Sequence, residues 1–414
     1  MVQKTLSIAI KECVFWNLAE KQNMPPGNSK TISFQRYERL NPPRTALTAG
    51  QTPAGTPLVV TNVTAVCEQW GAFVPLSDEA ELIVANKPFE QALELIGKQS
   101  AETIDRECQR VLRGATNIFY ANARASRAAL TSTDVVDTPL MRKIRAQLKN
   151  NGAPFFEGKR FVAVVDPFVS MDVQADPTFV EAAKFQNYVA LTSAEIGQWM
   201  GFRFQESNDI PVIARDTNMT IAYSGGGIEA GAAPGSTTNL SDGVYAVAIV
   251  GYDSQGFETH LMTTTYNTIT TSSQVAKITL PTLPSGVVAY SLYSSVAGGG
   301  TGAMKLQADN LGAGVVYIVG SGGDGVSSFN LTSGGRAAPA QPAVGVNVHQ
   351  SFVFGGEFYK VASLDNLKVM VTPKGPQKGD ELDQRRACGW KVFFKALITN
   401  NNFGAYVESE SAYD

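Results

Sequence analysis

Histidine and cysteine are scarce. The 414 residues hold two histidines, His260 and His349, and four cysteines, Cys13, Cys67, Cys108 and Cys388. No two cysteines form a C-x-x-C pair, and no Cys/His cluster has metal-ligand spacing, so no metal site is expected. The wide cysteine spacing fits buried free thiols in a reducing cytoplasm better than a disulfide framework. The histidines fall on predicted strands of different units, which argues against a His-centred acid/base pair and makes each a surface or core residue. Gly-x-Ser-x-Gly is absent, so the nucleophile elbow has no candidate. Gly225-Gly226-Gly227 lacks the Lys-Ser/Thr of a phosphate loop. The expectation is therefore a non-enzyme, with no catalytic residue and no cofactor. Charged residues make up 17% of the chain, against a usual share of about a quarter. The net charge is -3, without the basic excess of a protein that grips nucleic acid across its surface. No run approaches the roughly 18 apolar residues of a membrane span. Lys11 and Glu12 interrupt the N-terminal apolar stretch, which argues against a signal peptide. A soluble protein made in a cytoplasm is expected, with both chain ends tied down, by neighbouring copies, and no segment removed.

What is present is apolar and turn-rich. Hydrophobic residues are 44%, with 38 glycines and 20 prolines. That supports a substantial core and two or three domains. Residues 1–29 read as an arm with a short helix near Ala9 to Ala19. Lys30 to Leu40 and Pro57 to Val74 are rich in strand formers, around a stiff tip carrying Pro42, Pro43, Gly50, Pro53 and Gly55. Residues 30–76 are thus a long two-stranded ribbon. A lone ribbon is marginal in water because nothing covers its apolar face. Ile32, Phe34, Val59, Val63 and Trp70 need a partner surface, supplied by the same chain or by another subunit.

Ser77-Asp78-Glu79, with Glu81, places acidic residues at the start of a helix. Pro88 kinks or restarts it. Phe89, Leu93, Ile96, Ser100, Ile104, Cys108 and Val111 then form one stripe at steps of three and four. Such a helix ends near Gly114. Thr138-Pro139 opens another helix, ended by Asn151-Gly152. Phe161 to Val165 reads as a strand closed by Asp166-Pro167, and Pro177 to Tyr188 as a helix. Gly197 and Gly201 bracket Trp199 before the strand Phe202-Arg203-Phe204. Mixed in this order, the elements give an α+β core over 77–224 and 341–414. Between the linkers Gly225–Gly235 and Ser333–Pro342 lie seven short strand patterns without helical periodicity. They predict an inserted immunoglobulin-like sandwich over 236–332.

Several ordered groups carry a resemblance. They are Lys30-Thr31-Ile32-Ser33-Phe34 with Tyr37 and Leu40, then Leu47 to Gly50 with Thr52-Pro53, and Glu68-Gln69-Trp70-Gly71 followed by Ser77-Asp78. Further on come Glu195-Ile196-Gly197 with Gly201-Phe202-Arg203-Phe204 and Glu206-Ser207, and Asp380 to Gln384 with Gly389-Trp390-Lys391. In this order the sequence resembles the HK97-type major capsid proteins of tailed phages. More narrowly it resembles the podovirus group typified by coliphage N-four. The resemblance implies a shell protein of the virion that forms hexamers and pentamers around double-stranded DNA, which it contacts weakly. It implies a separate scaffolding protein and a portal, with no membrane. It also implies that each ribbon lies over a neighbouring subunit, with Arg36, Tyr37, Glu38, Arg39 and Arg44 meeting the next copy beside Ile32, Phe34 and Val63. Trp70, Asp78, Glu79 and Glu81 join that expected assembly surface. The insert is expected outside, facing a host surface or a decoration protein. Some shells of this fold carry a Lys–Asn bond between subunits; no glutamate here is assigned to catalyse one at Lys30 or Lys87. Two other readings predict different features. A nanocompartment shell of the same fold is expected to carry a cargo-peptide site and no outer domain. A secreted glycan-binding adhesin is expected to carry a signal peptide.

Overall fold

A computed structural model describes residues 13–24, 30–38, 55–77, 88–156, 158–179, 197–215, 228–230, 243–253, 256–261, 265–269, 274–295, 304–312, 314–319, 328–330, 339–340, 342–343, 345–372 and 384–413, with positions 40, 42, 46, 50, 79 and 83. The chain divides into two compact units. One comprises Met1–Asn117, Gln147–Val162 and Val353–Ala405; the other comprises Ile118–Ala146, Ala163–Phe352 and Tyr406–Asp414.

The first unit is built on a four-stranded sheet in the order Glu20–Asn23, Tyr359–Val371, Arg385–Ile398, Glu68–Ser77. Along Arg385–Ile398 the residues Cys388, Trp390, Val392, Phe394 and Ala396 are buried, while Gly389, Lys391, Phe393 and Lys395 are half-buried. That is the period of two a strand imposes. The helix Pro88–Leu112 packs against this strand, and Trp390 Nε1 donates to Gln99 Oε1 across the contact at 3.2 Å. Its 25 residues span about 37 Å at 1.5 Å each. The expected stripe is buried at Phe89, Leu93, Ile96, Ser100, Ile104 and Cys108, and Pro88 opens the helix.

A short helix, Val14–Leu18, lies against this spine. Trp16 N donates to Asp105 Oδ1 at 2.9 Å, and the Trp16 ring meets Phe394 edge-on at 5.4 Å. Residues 9–12 of the helix expected there lie outside the described residues. The next four residues, Glu20–Asn23, form a strand that sequence pattern does not reveal. All four are exposed, and the strand is held by parallel pairing with Lys360–Ser363. The four cysteines are buried and free, as expected.

Most residues of a six-stranded sheet belong to the second unit. Its order is Ile118–Tyr120, Gly404–Ser409, His349–Phe354, Phe161–Val165, Phe202–Glu206, Gln198–Trp199. Asp166-Pro167 does more than close the strand before it. The Asp166 carboxylate accepts from Phe168 N and Pro167 takes the first turn, which starts the helix Pro167–Ala175. The helix Thr138–Asn150 buries Leu140, Met141, Ile144 and Leu148 and ends at Gly152 with φ +71°. Met200 and Gly201, with φ of +53° and +84°, turn the chain between Gln198–Trp199 and Phe202–Glu206. A Cβ on Gly201 would also sit 2.7 Å from the Arg145 guanidinium. Of the helix expected over Pro177 to Tyr188, residues 180–188 lie outside the described residues.

One buried ion pair ties this sheet to the preceding loop. Arg127 grips Glu408 with two guanidinium nitrogens, one at 2.8 Å, and donates to Ala340 O at 3.0 Å. Burial alone would lower the Arg127 pKa; the hydrogen bonds and charge of Glu408 outweigh it and push it above the ordinary arginine value. Arg127→Ala would strand Glu408 as an unpaired buried charge. A loss of about 3–5 kcal/mol in denaturant unfolding is expected. A loss below about 1 kcal/mol would mean that water reaches the site.

Residues 236–332, expected as an insert, contribute strands to two further sheets. One runs Lys305–Leu311, Ala289–Ser294, Gly243–Tyr252, Glu258–Leu261, Ala214–Arg215, with Thr265–Ile269 also pairing on Gly243–Tyr252; the other runs Ile228–Ala230, Gln274–Leu280, Gly314–Val319, Ser328–Asn330. Among the described residues this stretch forms eight strands, where the sequence predicts seven short patterns. Ala214–Arg215 and Ile228–Ala230 join these sheets from upstream of residue 236. The glycine runs at 225–227 and 333–335 lie outside the described residues.

Candidate assembly surface

The ribbon pairs Thr31–Tyr37 with Val60–Val66 in antiparallel register, from Thr31 opposite Val66 to Tyr37 opposite Val60. Alternation puts Ile32 and Phe34 on one face, and they are only 9% and 5% exposed. The partner is this chain. They bury with Met24, Cys67, Ala362 and Leu397, and Val63, Ala65 and Leu364 pack against the cluster. Two backbone bonds hold this end of the chain: Cys67 N donates to Lys30 O, and Met24 N to Ser363 O, each at 2.9 Å. Lys360 Nζ lies 5.9 Å from the Phe34 ring centre. Within this chain, then, Ile32 and Phe34 already have their cover and Val63 packs against it: alternation announces that one face is buried, not what buries it.

The charges follow the same rule. Arg36 donates from Nη1 to Thr399 O at 3.3 Å and lies 3.7 Å from Glu38, and Glu38 Oε1 accepts from Thr61 Oγ1 at 3.1 Å. Arg36 and Glu38 thus have partners in their own chain. Solvent-exposed pairs of this kind contribute little. Trp70 is half-buried, in register with Val392 on the central strand. Glu79 is exposed in a helical turn. Arg39, Arg44, Asp78 and Glu81 lie outside the described residues.

Apolar surface remains further along. Tyr37 and Leu58 are 59% and 58% exposed, and Leu40, Val59 and Val60 accompany them. Large apolar groups gathered at one end of a ribbon mark a surface made for contact. A second exposed group lies on the four-stranded sheet. Met370, Gly389 and Phe73 form a cross-strand row, with Phe73 71% exposed. A Cβ on Gly389 would meet the Phe73 Cβ at 2.9 Å, so glycine permits this approach and leaves a concave floor, with Lys391 beside it. Val59 is named from sequence as needing a partner surface; Leu58, Val60, Phe73 and Met370 are not. The available signal was Leu58-Val59-Val60, three consecutive apolar residues that a two-faced ribbon cannot all bury. Among the described residues no His/Cys/Asp/Glu group could hold a metal ion. What this surface offers is apolar burial.

Solved structures share the fold. The chain resembles the structure titled capsid structure of the cyanophage P-SCSP1u, with a TM-score of 0.50 and 12% identity over 96% of this chain and 88% of that one. The cyanophage Pam1 capsid asymmetric unit gives 0.51 and 11% over 96% and 90%. The capsid of Ralstonia phage GP4 gives 0.50 and 11% over 95% and 87%. No family model and no curated protein matches the sequence. At such identities the likeness speaks for the fold, and the fold is α+β and HK97-like, the class expected from the sequence.

Proposed function

We propose that this chain is the major capsid protein of a tailed phage. It is a structural subunit, not an enzyme, and it assembles into hexamers and pentamers of an icosahedral head around double-stranded DNA. The observation that carries this reading is likeness to phage capsid chains over almost the whole length. The exposed outer end of the ribbon supports it, since a monomer gains nothing from Tyr37, Leu58 and Val59 in water. A neighbouring copy covers that end, beyond the part of the ribbon that packs at home. Arg39 and Arg44 join it there. Summed over a closed shell, many such modest contacts give high stability.

In this reading the protein resides in the virion. A scaffolding protein and a portal act during assembly, and the chain, whose net charge is -3, touches the DNA weakly on its inner face. The all-β insert is an immunoglobulin-like outer domain that meets a host surface or a decoration protein. In the order of its motifs the chain resembles the group typified by coliphage N-four. Expression of the full chain, with its scaffolding partner if required, should give particles tens of nanometres wide in negative-stain electron microscopy. Soluble monomers alone, across salt and scaffold conditions, would overturn the proposal.

A further inference from the structure

One strongly charged surface has no part in the apolar contacts of the ribbon. From Thr138 to Phe156 the sequence holds no aspartate or glutamate, yet it carries Arg142, Lys143, Arg145 and Lys149, in a chain whose net charge is -3. All four lie on the helix Thr138–Asn150. Its apolar side faces the core through Leu140, Met141, Ile144 and Leu148. Arg142, Arg145 and Lys149 follow at steps of three and four, so the helix itself sets them in one stripe. Arg142 and Lys149 are exposed and Arg145 is half-buried. Lys143 lies off the stripe, with Nζ 5.8 Å from the Phe119 ring centre. Elsewhere surface cations stand beside carboxylates, as Lys98 does with Glu94 and Lys368 with Asp365. Among the described residues none of Arg142, Arg145 and Lys149 forms an ion pair. The helix dipole favours a cation in the last turn, which accounts for Lys149 but not for the two arginines. Arg145 is also held in place. Gly201 lies against its guanidinium, where a Cβ would come within 2.7 Å, and its Nε is buried with no hydrogen-bond partner. A guanidinium fixed in position without a counter-charge is set for an anion from outside.

We propose that Arg142, Arg145 and Lys149 form a contact stripe for the phosphate backbone of double-stranded DNA. This rests on the shell reading, which sets duplex DNA against the subunit. From Arg142 to Lys149 the stripe runs about 10 Å at 1.5 Å per residue. A duplex carries one charge per about 1.7 Å of its axis, so a stripe of that length meets several phosphates whatever the sequence. A single carboxylate of a protein partner would answer one cation, whereas a row of three unpaired cations matches a polyanion. Contacts of this kind position the duplex without reading its bases. Three of them give weak, salt-sensitive binding confined to one helix, as suits a chain without a basic excess overall.

Fluorescence anisotropy of a labelled DNA duplex with the full, unassembled chain reads the contact, in salt from about 50 to about 200 mM. Each phosphate contact adds about 0.9 to the slope of log affinity against log salt, so three contacts lose about 40-fold over that range. Arg142→Ala, Arg145→Ala and Lys149→Ala together should lower the slope by about 2.7. Arg142→Lys with Arg145→Lys keeps the charge and should keep the slope. Lys98→Ala with Lys368→Ala removes cations that already hold carboxylates and should leave the slope as it was. An unaltered slope in the triple variant overturns the stripe, as does absence of binding by the unaltered chain at the low-salt end. A triple variant that binds DNA as before but no longer forms particles also overturns it, and assigns the cations to a second copy. Should the triple variant fail to fold, Arg142→Ala with Lys149→Ala, both exposed, should lower the slope by about 1.8, and no change there sinks the proposal. Negative-stain microscopy of the unaltered chain tests the shell reading separately, since particles can form whether or not this stripe meets DNA.

Discussion

Phe34→Ala should destabilise the unassembled subunit by about 3 kcal/mol in denaturant unfolding, with particle yield falling only as a consequence. The ring is buried against Met24, Cys67, Ala362 and Leu397. Its removal leaves a cavity between the ribbon and the four-stranded sheet, where strand pairing limits collapse. Ile32→Asp should do more harm, because it puts a charge into the same contact without a partner. A subunit that stays equally stable but no longer assembles would show that Phe34 serves a neighbour instead.

The opposite pattern is expected at the outer end. Leu58→Asp with Val59→Asp should change subunit stability by no more than about 0.5 kcal/mol, since both side chains are exposed. Particle formation should nonetheless be abolished at concentrations where the unaltered chain assembles fully. Each copy gives and receives the contact, so the penalty recurs at every interface of the shell. Light scattering and negative-stain microscopy read the assembly, and thermal unfolding of the free subunit reads the stability. Normal particles from the double variant would remove the ribbon's outer end from the interface.

Much of the fold was legible because it follows from period and punctuation. Residues 31–37 alternate, the spine helix carries one stripe from Phe89 to Cys108, and Gly152 stops a helix where expected. What stayed hidden depends on contacts between distant segments. Glu20–Asn23 is polar throughout and becomes a strand only because Lys360–Ser363 offers its backbone. Asp166-Pro167 fits a strand stop or a helix start equally well until Phe168 N is seen on the carboxylate. The candidate surface divided along the same line. Sequence located the ribbon and its apolar face, yet Ile32 and Phe34 face home while Tyr37 and Leu58 face outward. Nothing in spacing brings Asp166 and His349 together.

The most direct measurement compares amide exchange of the ribbon in free subunits and in purified particles. Residues 58–60 and Tyr37 should gain strong protection on assembly, while Ile32 and Phe34, already covered, should exchange alike in both. Identical exchange along the whole ribbon in both states would contradict a shell whose copies meet through its outer end.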